Sequence, residues 1–140
     1  MRRHICPDIV REPKIVALSS RASAREAARL MNAKRVSSVL VMEEGDLKGI
    51  VTVRDIVRRV VGVGLSPDET PLGQIMTPNP RCVEGDESPA VALHHMQDYG
   101  FRHLPVVRNG RVIGVVVRSD FNPEEEACLQ FEEELWQHMR

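Results

Sequence analysis

The sequence lacks an even set of cysteines, long apolar runs and a signal peptide, which are the marks of several common classes of protein. Its three cysteines, Cys6, Cys82 and Cys128, are an odd number without metal-ligand spacing. They favour reduced thiols over a disulfide framework or a zinc site. No apolar run approaches the roughly 20 residues that a membrane span requires, and the N-terminus lacks the apolar stretch of a signal peptide. We therefore expect a cytoplasmic protein without a membrane segment.

Aromatic residues and net charge are also scarce. Aromatics make up 4% of the 140 residues, and the formal net charge is −1. A nucleic-acid-binding surface needs basic runs interleaved with aromatics, so the composition argues against nucleic acid as a partner. The small net charge hides an asymmetry, because residues 122–140 carry six Glu and one Arg. The remainder of the chain is mildly basic, which suits a ligand that carries phosphate.

What the sequence does contain is an internal repeat. Residues 49–56 read Gly-Ile-Val-Thr-Val-Arg-Asp-Ile, and residues 114–121 read Gly-Val-Val-Val-Arg-Ser-Asp-Phe. The offset between these two segments also aligns 16–56 with 81–121 in four separate blocks, which chance rarely provides. The alternative is two generic β-α-β units that merely look alike.

Hydrophobic periodicity and turn residues predict the elements of each repeat. The first repeat has strands at 14–18, 36–42 and 47–53, a helix capped by Ser23, and a second helix that opens at Asp55. On the second helix we expect one buried side, formed by Ile56, Val57, Val60 and Val61. The second repeat has strands at 81–83, 103–107 and 111–117, with a helix capped by Ser88 and an Asn-Gly hairpin turn.

An added segment, residues 122–140, follows the second repeat. Asn122 is placed to cap a helix, and the glutamates after Pro123 favour its positive end. The segment predicts an acidic amphipathic helix with an apolar stripe of Cys128, Phe131, Leu135, Trp136 and Met139. The stripe must be buried against its own chain, a second copy or another protein.

These motifs resemble those of the tandem cystathionine β-synthase (CBS) domain pair, and in particular the small stand-alone CBS proteins of prokaryotes. The resemblance covers about residues 8–121. It rests on Ile-Met-Thr-Pro at 75–78, Arg-His-Leu-Pro-Val-Val at 102–107 and Gly-x-x-Thr-x-x-Asp at 49–55. It implies an α/β (α+β) fold of two β-α-β-β-α repeats, 8–66 and 67–121, related by a pseudo-twofold axis and followed by the helix of 122–140.

The resemblance also implies an adenine-nucleotide ligand, AMP before ADP, ATP or another adenosyl compound, held in clefts between the repeats. In the first copy of the pattern, Asp55 would accept hydrogen bonds from the ribose hydroxyls and Thr52 would meet a phosphate. These residue types suit that chemistry, because a carboxylate accepts from a diol and a hydroxyl at a helix N-terminus favours an anion. A plain helix cap is the alternative role for Asp55.

The second copy of the pattern departs from the first. Val117 replaces the threonine, while Asp120 keeps the ribose role and Ser119 offers a hydroxyl. The resemblance places Arg102 and His103, on the preceding strand, near ligand phosphates. A solvated surface position is the alternative for Arg102. We therefore expect the two sites to differ.

Together the repeats predict a regulatory nucleotide sensor rather than an enzyme. No nucleophile–base pair stands in a recognisable catalytic context, and the histidines lack the neighbours of a metal site, so no metal or cofactor is expected. Expected partners are a second copy of the chain, in a homodimer, and an unidentified regulated protein. A ligand-free dimerisation or scaffold protein of the same fold is the alternative. The candidate ligand-binding residues are Ala17, Ser38, Thr52, Arg54, Asp55, Cys82, Arg102, His103, Ser119 and Asp120.

Overall fold

The computed structural model describes residues 3–10 and 14–138, without the side chains of Pro7, residues 128–133, Trp136 and His138. The chain divides into two compact units. The first-repeat unit is Ile15–Pro80, and the second-repeat unit combines Met1–Lys14 with Arg81–Arg140. Each unit therefore contains one repeat of the sequence, but the N-terminal segment belongs with the second repeat.

The first-repeat unit is a four-stranded sheet with helices. Its sheet has the order β1-β2-β3-β4, in which β1 and β2 are parallel and the other pairs are antiparallel. Along the chain the elements are β1 (Ala17–Leu18), α1 (Ala24–Lys34), β2 (Ser38–Glu43), β3 (Asp46–Thr52), α2 (Val53–Ile56) with a π-helical continuation (Val57–Val61), α3 (Leu72–Ile75) and β4 (Thr77–Pro78).

Local chemistry explains where α1 begins and how it packs. Ser23 caps the helix, since its Oγ accepts a hydrogen bond from the Glu26 N–H at 3.1 Å, which satisfies an otherwise unpaired amide. The buried face of α1 carries the small side chains Ala24 and Ala27 together with Met31. These contact the buried valines of β2 and β3 in one core cluster, because small residues let a helix approach a sheet closely.

The second-repeat unit repeats this arrangement. Its sheet has the order β5-β6-β7, and Ile5 of the N-terminal segment is fully buried in its core. The elements are a helical turn (Ile5–Ile9), β5 (Val83–Glu84), α4 (Pro89–Tyr99), β6 (His103–Arg108), β7 (Arg111–Val117), a 3-10 turn (Arg118–Asp120) and α5 (Pro123–His138).

The strand registers of the two sheets are the same when the repeats are aligned by their sequence offset. Ser38 lies opposite Thr52 in the β2–β3 ladder, and His103 lies opposite Val117 in the β6–β7 ladder. Both ladders shift register at the equivalent step of their first strand. Each hairpin turns through two residues with positive φ, Glu44-Gly45 and Asn109-Gly110. The internal repeat is therefore a structural repeat, and the mixed α/β fold of two such repeats is confirmed.

Each sheet is completed by the segment that precedes the other repeat. In the first-repeat unit, β4 pairs with β3, and the Asn79 N–H donates to the Lys48 carbonyl at 3.0 Å. In the second-repeat unit, the Lys14 N–H donates to the Ile113 carbonyl at 2.9 Å, which is the equivalent bond of the other repeat. The units divide after Lys14 and after Pro80, whereas the sequence repeats were divided after residue 66. We call this bonding of each sheet to the segment that precedes the other repeat the segment exchange.

Two expectations for the helix after β3 were wrong. Thr52, not Asp55, is the N-cap, and the helix begins at Val53. Only Val60 is fully buried, while Val57 and Val61 are 56% and 63% exposed. Val57 and Val61 lie four residues apart and therefore share one face of the helix, and this face is exposed.

The C-terminal helix has the predicted start. The Glu125 N–H donates to Asn122 Oδ1 at 2.9 Å, and the Asn122 N–H donates to Glu125 Oε1 at 3.0 Å, a reciprocal capping arrangement. Of the predicted apolar stripe, Leu135 is 47% exposed. Met139 and the side chains of Cys128, Phe131 and Trp136 lie outside the described residues. No helix within residues 3–10 and 14–138 has the length and apolar character to cross a membrane.

Candidate functional site

The candidate site of the first-repeat unit lies where β3 ends and α2 begins. Asp55 Oδ2 accepts hydrogen bonds from the Thr52 N–H at 2.9 Å and from the Thr52 hydroxyl at 3.1 Å. In return, Thr52 Oγ1 accepts from the Asp55 N–H at 3.3 Å. These three bonds hold the Asp55 side chain at the first turn of the helix, and the two on the carboxylate both go to Oδ2.

The Asp55 carboxylate keeps acceptor capacity after these bonds are counted. A carboxylate has about four acceptor positions, of which Oδ2 uses two. Oδ1 faces Arg59 Nε at 3.6 Å, which is an ion-pair distance but too long for a good hydrogen bond. The Asp55 side chain is 14% exposed. Two acceptor positions on Oδ1 are therefore not used by a hydrogen bond.

Arg59 is a site residue that the sequence reasoning missed. Besides the ion pair with Asp55, its Nη1 donates to the Ile75 carbonyl at 3.0 Å. Arg59 thus joins the candidate carboxylate to the end of α3, just before β4. The signal was present in the sequence, because oppositely charged residues four apart on a helix are neighbours.

In the structure, Thr52 has a different role from the predicted phosphate contact. The single proton of its hydroxyl is directed at Asp55 and one lone pair accepts from the Asp55 N–H. In this arrangement Thr52 is a helix cap, and it can donate to a phosphate only by giving up the bond to Asp55. Its predicted phosphate contact stays a prediction.

The other predicted residues of the first repeat lie around this turn. Ser38 is buried and lies opposite Thr52 across the ladder. Ala17 lies on the neighbouring β1, opposite Leu40, which is two positions from Ser38 along β2. Arg54 is exposed on the first turn of α2. Strand pairing therefore brings Ser38, Thr52 and Asp55 together, with Ala17 and Arg54 at the margin.

The second-repeat unit presents the same set of positions at the repeat offset. The Val117 N–H donates to Asp120 Oδ2 at 2.8 Å, and His103 lies opposite Val117. The Arg118 N–H donates to the Arg102 carbonyl at 2.9 Å. The counterparts of the five first-repeat residues, in the same order along the chain, are Cys82, His103, Val117, Ser119 and Asp120.

The second turn differs from the first in three ways. Val117 has no hydroxyl, so the Asp120 N–H has no counterpart of the threonine acceptor. The helical turn ends at Asp120, because Phe121 returns to extended backbone. Finally, Arg3 reaches this turn, where its Nη2 donates to the Asp120 carbonyl at 3.2 Å and pairs with Glu125. Local sequence gave no signal for Arg3, which lies 117 residues from Asp120.

Two groups of the second-repeat unit have shifted pKa values, the Cys82 thiol and the Arg3 guanidinium. Burial, with a smaller contribution from Glu84, raises the pKa of the Cys82 thiol, so this thiol stays uncharged at neutral pH. The hydrogen bond to Glu125 raises the pKa of Arg3, which keeps its charge. Within the described part of the chain, no cluster of three or more His, Cys, Asp or Glu side chains could hold a metal ion.

The comparisons with known proteins identify the family of the two repeats. The family model described as "CBS domain" matches residues 8–62 and 72–122. The CBS domain-containing protein CBSCBSPB2 of Arabidopsis thaliana is 40% identical over 108 residues, which are 76% of this chain and 20% of that protein. The chain therefore spans about a fifth of the length of that relative.

Two solved structures are also similar. A putative signal-transduction protein with CBS domains from Burkholderia ambifaria has a TM-score of 0.77 at 31% identity, covering 83% of this chain and 85% of its own. The CBS domain protein PAE2072 from Pyrobaculum aerophilum, complexed with AMP, also has a TM-score of 0.77, at 27% identity, covering 89% and 96%. Because the family match covers both repeats, the chain belongs to the CBS domain family, as a tandem pair of CBS repeats.

Proposed function

We propose that this chain is a regulatory module that binds an adenine nucleotide, with AMP as the first ligand to test, and that it is not an enzyme. The observation that carries the proposal is the Thr52–Asp55 turn. It presents a carboxylate with two open acceptor positions, and a ribose presents two adjacent hydroxyl donors. The match of two acceptors to two donors is what a ribose-binding carboxylate requires.

Cationic side chains near the turns support a phosphate-bearing ligand. In the first-repeat unit, Arg54 is exposed beside Asp55. In the second-repeat unit, Arg102 is exposed and His103 is half-buried at the start of β6. Guanidinium groups suit phosphate oxygens because they donate several hydrogen bonds in a fixed plane. The similar protein PAE2072 was crystallised with AMP, which supports the same ligand class here.

The proposed mechanism is a shift between conformations of the pair. A nucleotide that binds one conformation more tightly increases its population, and only by as much as the two affinities differ. A separate regulated protein would read that change. Two turns that differ at Thr52 and Val117 are expected to bind with different affinities.

The test is titration calorimetry with AMP on the intact chain and on Asp55→Ala. Losing hydrogen bonds to a charged acceptor costs about 1.5–3 kcal/mol, which weakens the affinity roughly ten- to a hundredfold. Asp46→Ala is the matched control, because Asp46 is an exposed aspartate at the opposite end of β3. Unchanged affinity in a folded Asp55→Ala protein would remove this turn from the ligand site.

An exposed row of valines favours a second function, dimerisation. Val53, Val57 and Val61 are 48%, 56% and 63% exposed, and a cavity of about 390 Å³ lies beside Val53 and Val57, against α1. Arg54 and Arg58 flank the row, while residues 122–140 carry six Glu. A second copy therefore brings charge complementary to this surface, and we propose a homodimer. A stable dimer that binds no nucleotide would favour the scaffold function over the sensor.

A further inference from the structure

The Thr52–Asp55 turn and the Val117–Asp120 turn, which we call the two aspartate turns, share one restraint on the aspartate. They differ in a second restraint. In both, a backbone N–H holds the carboxylate, from Thr52 to Asp55 at 2.9 Å and from Val117 to Asp120 at 2.8 Å. Only the first turn adds a side-chain restraint, because the Thr52 hydroxyl bonds both the carboxylate and the N–H of Asp55. Valine can form neither bond.

The second turn also lacks the helix that continues the first. After Asp55 the chain goes on helically to Val61, and Arg59 adds an ion pair to Asp55. After Asp120 the backbone is extended at Phe121, and α5 starts two residues later. With these local bonds alone, Asp120 would lie at the end of a short, weakly held turn.

Arg3 contacts both sides of this break. Its Nη2 donates to the Asp120 carbonyl at 3.2 Å and also pairs with Glu125 Oε1. The same Glu125 oxygen accepts from the Asn122 N–H at 3.0 Å, within the cap of α5. One guanidinium therefore links the last residue of the 3-10 turn to the first turn of α5. The Glu125 side chain is 14% exposed, so water competes little for this oxygen.

We propose that Arg3 is a positioning residue for the second nucleotide site, where its bond to the Asp120 carbonyl holds a turn that lacks the Thr52 hydroxyl. The inference rests on the proposed nucleotide-binding function. It makes Arg3 part of the support of the second site, although Arg3 lies 117 residues from Asp120 in the sequence. It also explains how the repeat can tolerate valine in place of threonine.

The first experiment measures the turn without any nucleotide. Hydrogen exchange of the amides from Val117 to Asp120 is compared in the intact chain, Arg3→Gln, Val117→Thr and the double variant. We expect Arg3→Gln to speed exchange of this turn by about tenfold, the equivalent of about 1.4 kcal/mol. The double variant should recover most of the protection, and amides of the Thr52–Asp55 turn should not change. Equal exchange in the intact chain and Arg3→Gln would overturn the proposal.

The second experiment measures AMP affinity at each site separately. In an Asp55→Ala background, which leaves the second site, Arg3→Gln should weaken AMP binding about tenfold, and added Val117→Thr should restore it. In an Asp120→Ala background, Arg3→Gln should leave AMP binding at the first site unchanged. Arg3→Lys keeps the charge and should weaken the second site less than Arg3→Gln. Equal weakening in both backgrounds would reduce Arg3 to a general structural role and contradict the proposal.

The two experiments separate the inference from the function on which it rests. If neither background binds AMP while exchange of the turn responds as expected, the proposed function fails and the restraint by Arg3 stands. If AMP binds to both sites but Arg3→Gln changes neither exchange nor affinity, the function stands and the inference fails.

Discussion

Gly49→Ala should destabilise the first-repeat unit, whereas the equivalent Gly114→Ala should be tolerated. A Cβ added at Gly49 would overlap Met76 Sδ and would lie 2.9 Å from the Thr77 carbonyl oxygen. A Cβ at Gly114 would meet its nearest atom, a methyl of Val10, at 3.1 Å. The first position needs a backbone shift in β4, while the second needs only a small side-chain adjustment.

The magnitude follows from two opposing effects. Overpacking costs about 1–3 kcal/mol, and replacing a strand glycine with alanine returns about 0.5–1 kcal/mol. Neither Gly49 nor Gly114 has a positive φ, so backbone strain adds nothing. We expect Gly49→Ala to lower the free energy of unfolding by about 1–2 kcal/mol and Gly114→Ala to stay within about 0.5 kcal/mol of the intact chain.

Urea unfolding followed by circular dichroism measures the overall loss, and hydrogen exchange of β3 and β7 assigns it to one unit. Met76→Ala removes the thioether contact, so Gly49→Ala should cost about 1 kcal/mol less in that background, as a double-mutant cycle reports. The remaining cost measures the Thr77 carbonyl contact. Unchanged stability of Gly49→Ala, or an equal loss in Gly114→Ala, would refute the packing argument.

Two further predictions concern pH and self-association. Hydrogen bonds from the Ser20 hydroxyl and backbone lower the pKa of Glu43, so its contribution to stability is present above the ordinary Glu pKa and is lost as pH falls through the folded value. Melting temperatures should therefore fall less on acidification in Glu43→Gln than in the intact chain, and an identical acid response would contradict this. Val57→Glu should weaken the proposed homodimer in sedimentation experiments, whereas Val63→Glu, in the turn after the valine row and also exposed, should not. A dimer of undiminished affinity in Val57→Glu would exclude the valine row as the interface.

The local sequence pattern was sufficient to predict the repeat and most of its strands and helices. Alternating apolar residues and turn residues located β2, β3, β6 and β7, and the constant sequence offset gave their equivalence. The cap at Thr52 was missed because threonine and aspartate three residues apart can each be the cap, and only the hydrogen bonds decide. Exposure of Val57 was missed because composition does not say which of two apolar faces has a partner.

The features that the sequence did not predict are contacts between distant parts of the chain. The pairing of β4 with β3 depends on which sheet has an open edge, and no local residue pattern encodes that. Arg3 resembles any charged residue near an N-terminus until its contacts with Asp120 and Glu125 are known. The candidate site was therefore predictable where one short motif builds it, as at Thr52–Asp55, and unpredictable where distant residues complete it.

The segment exchange has a consequence for the order in which the chain can fold during synthesis. Ile15–Pro80 is continuous in sequence, so this unit can close as soon as residue 80 has left the ribosome. The other unit needs both Ile5 and Phe121 for its core. Ile5 must then stay without its core partners while about 40 residues are added after residue 80, a delay of roughly 2–8 s at ordinary rates of synthesis. The segment that precedes the first repeat is thus among the last to find its place, and Arg3 can contact Asp120 only after the second repeat has been made.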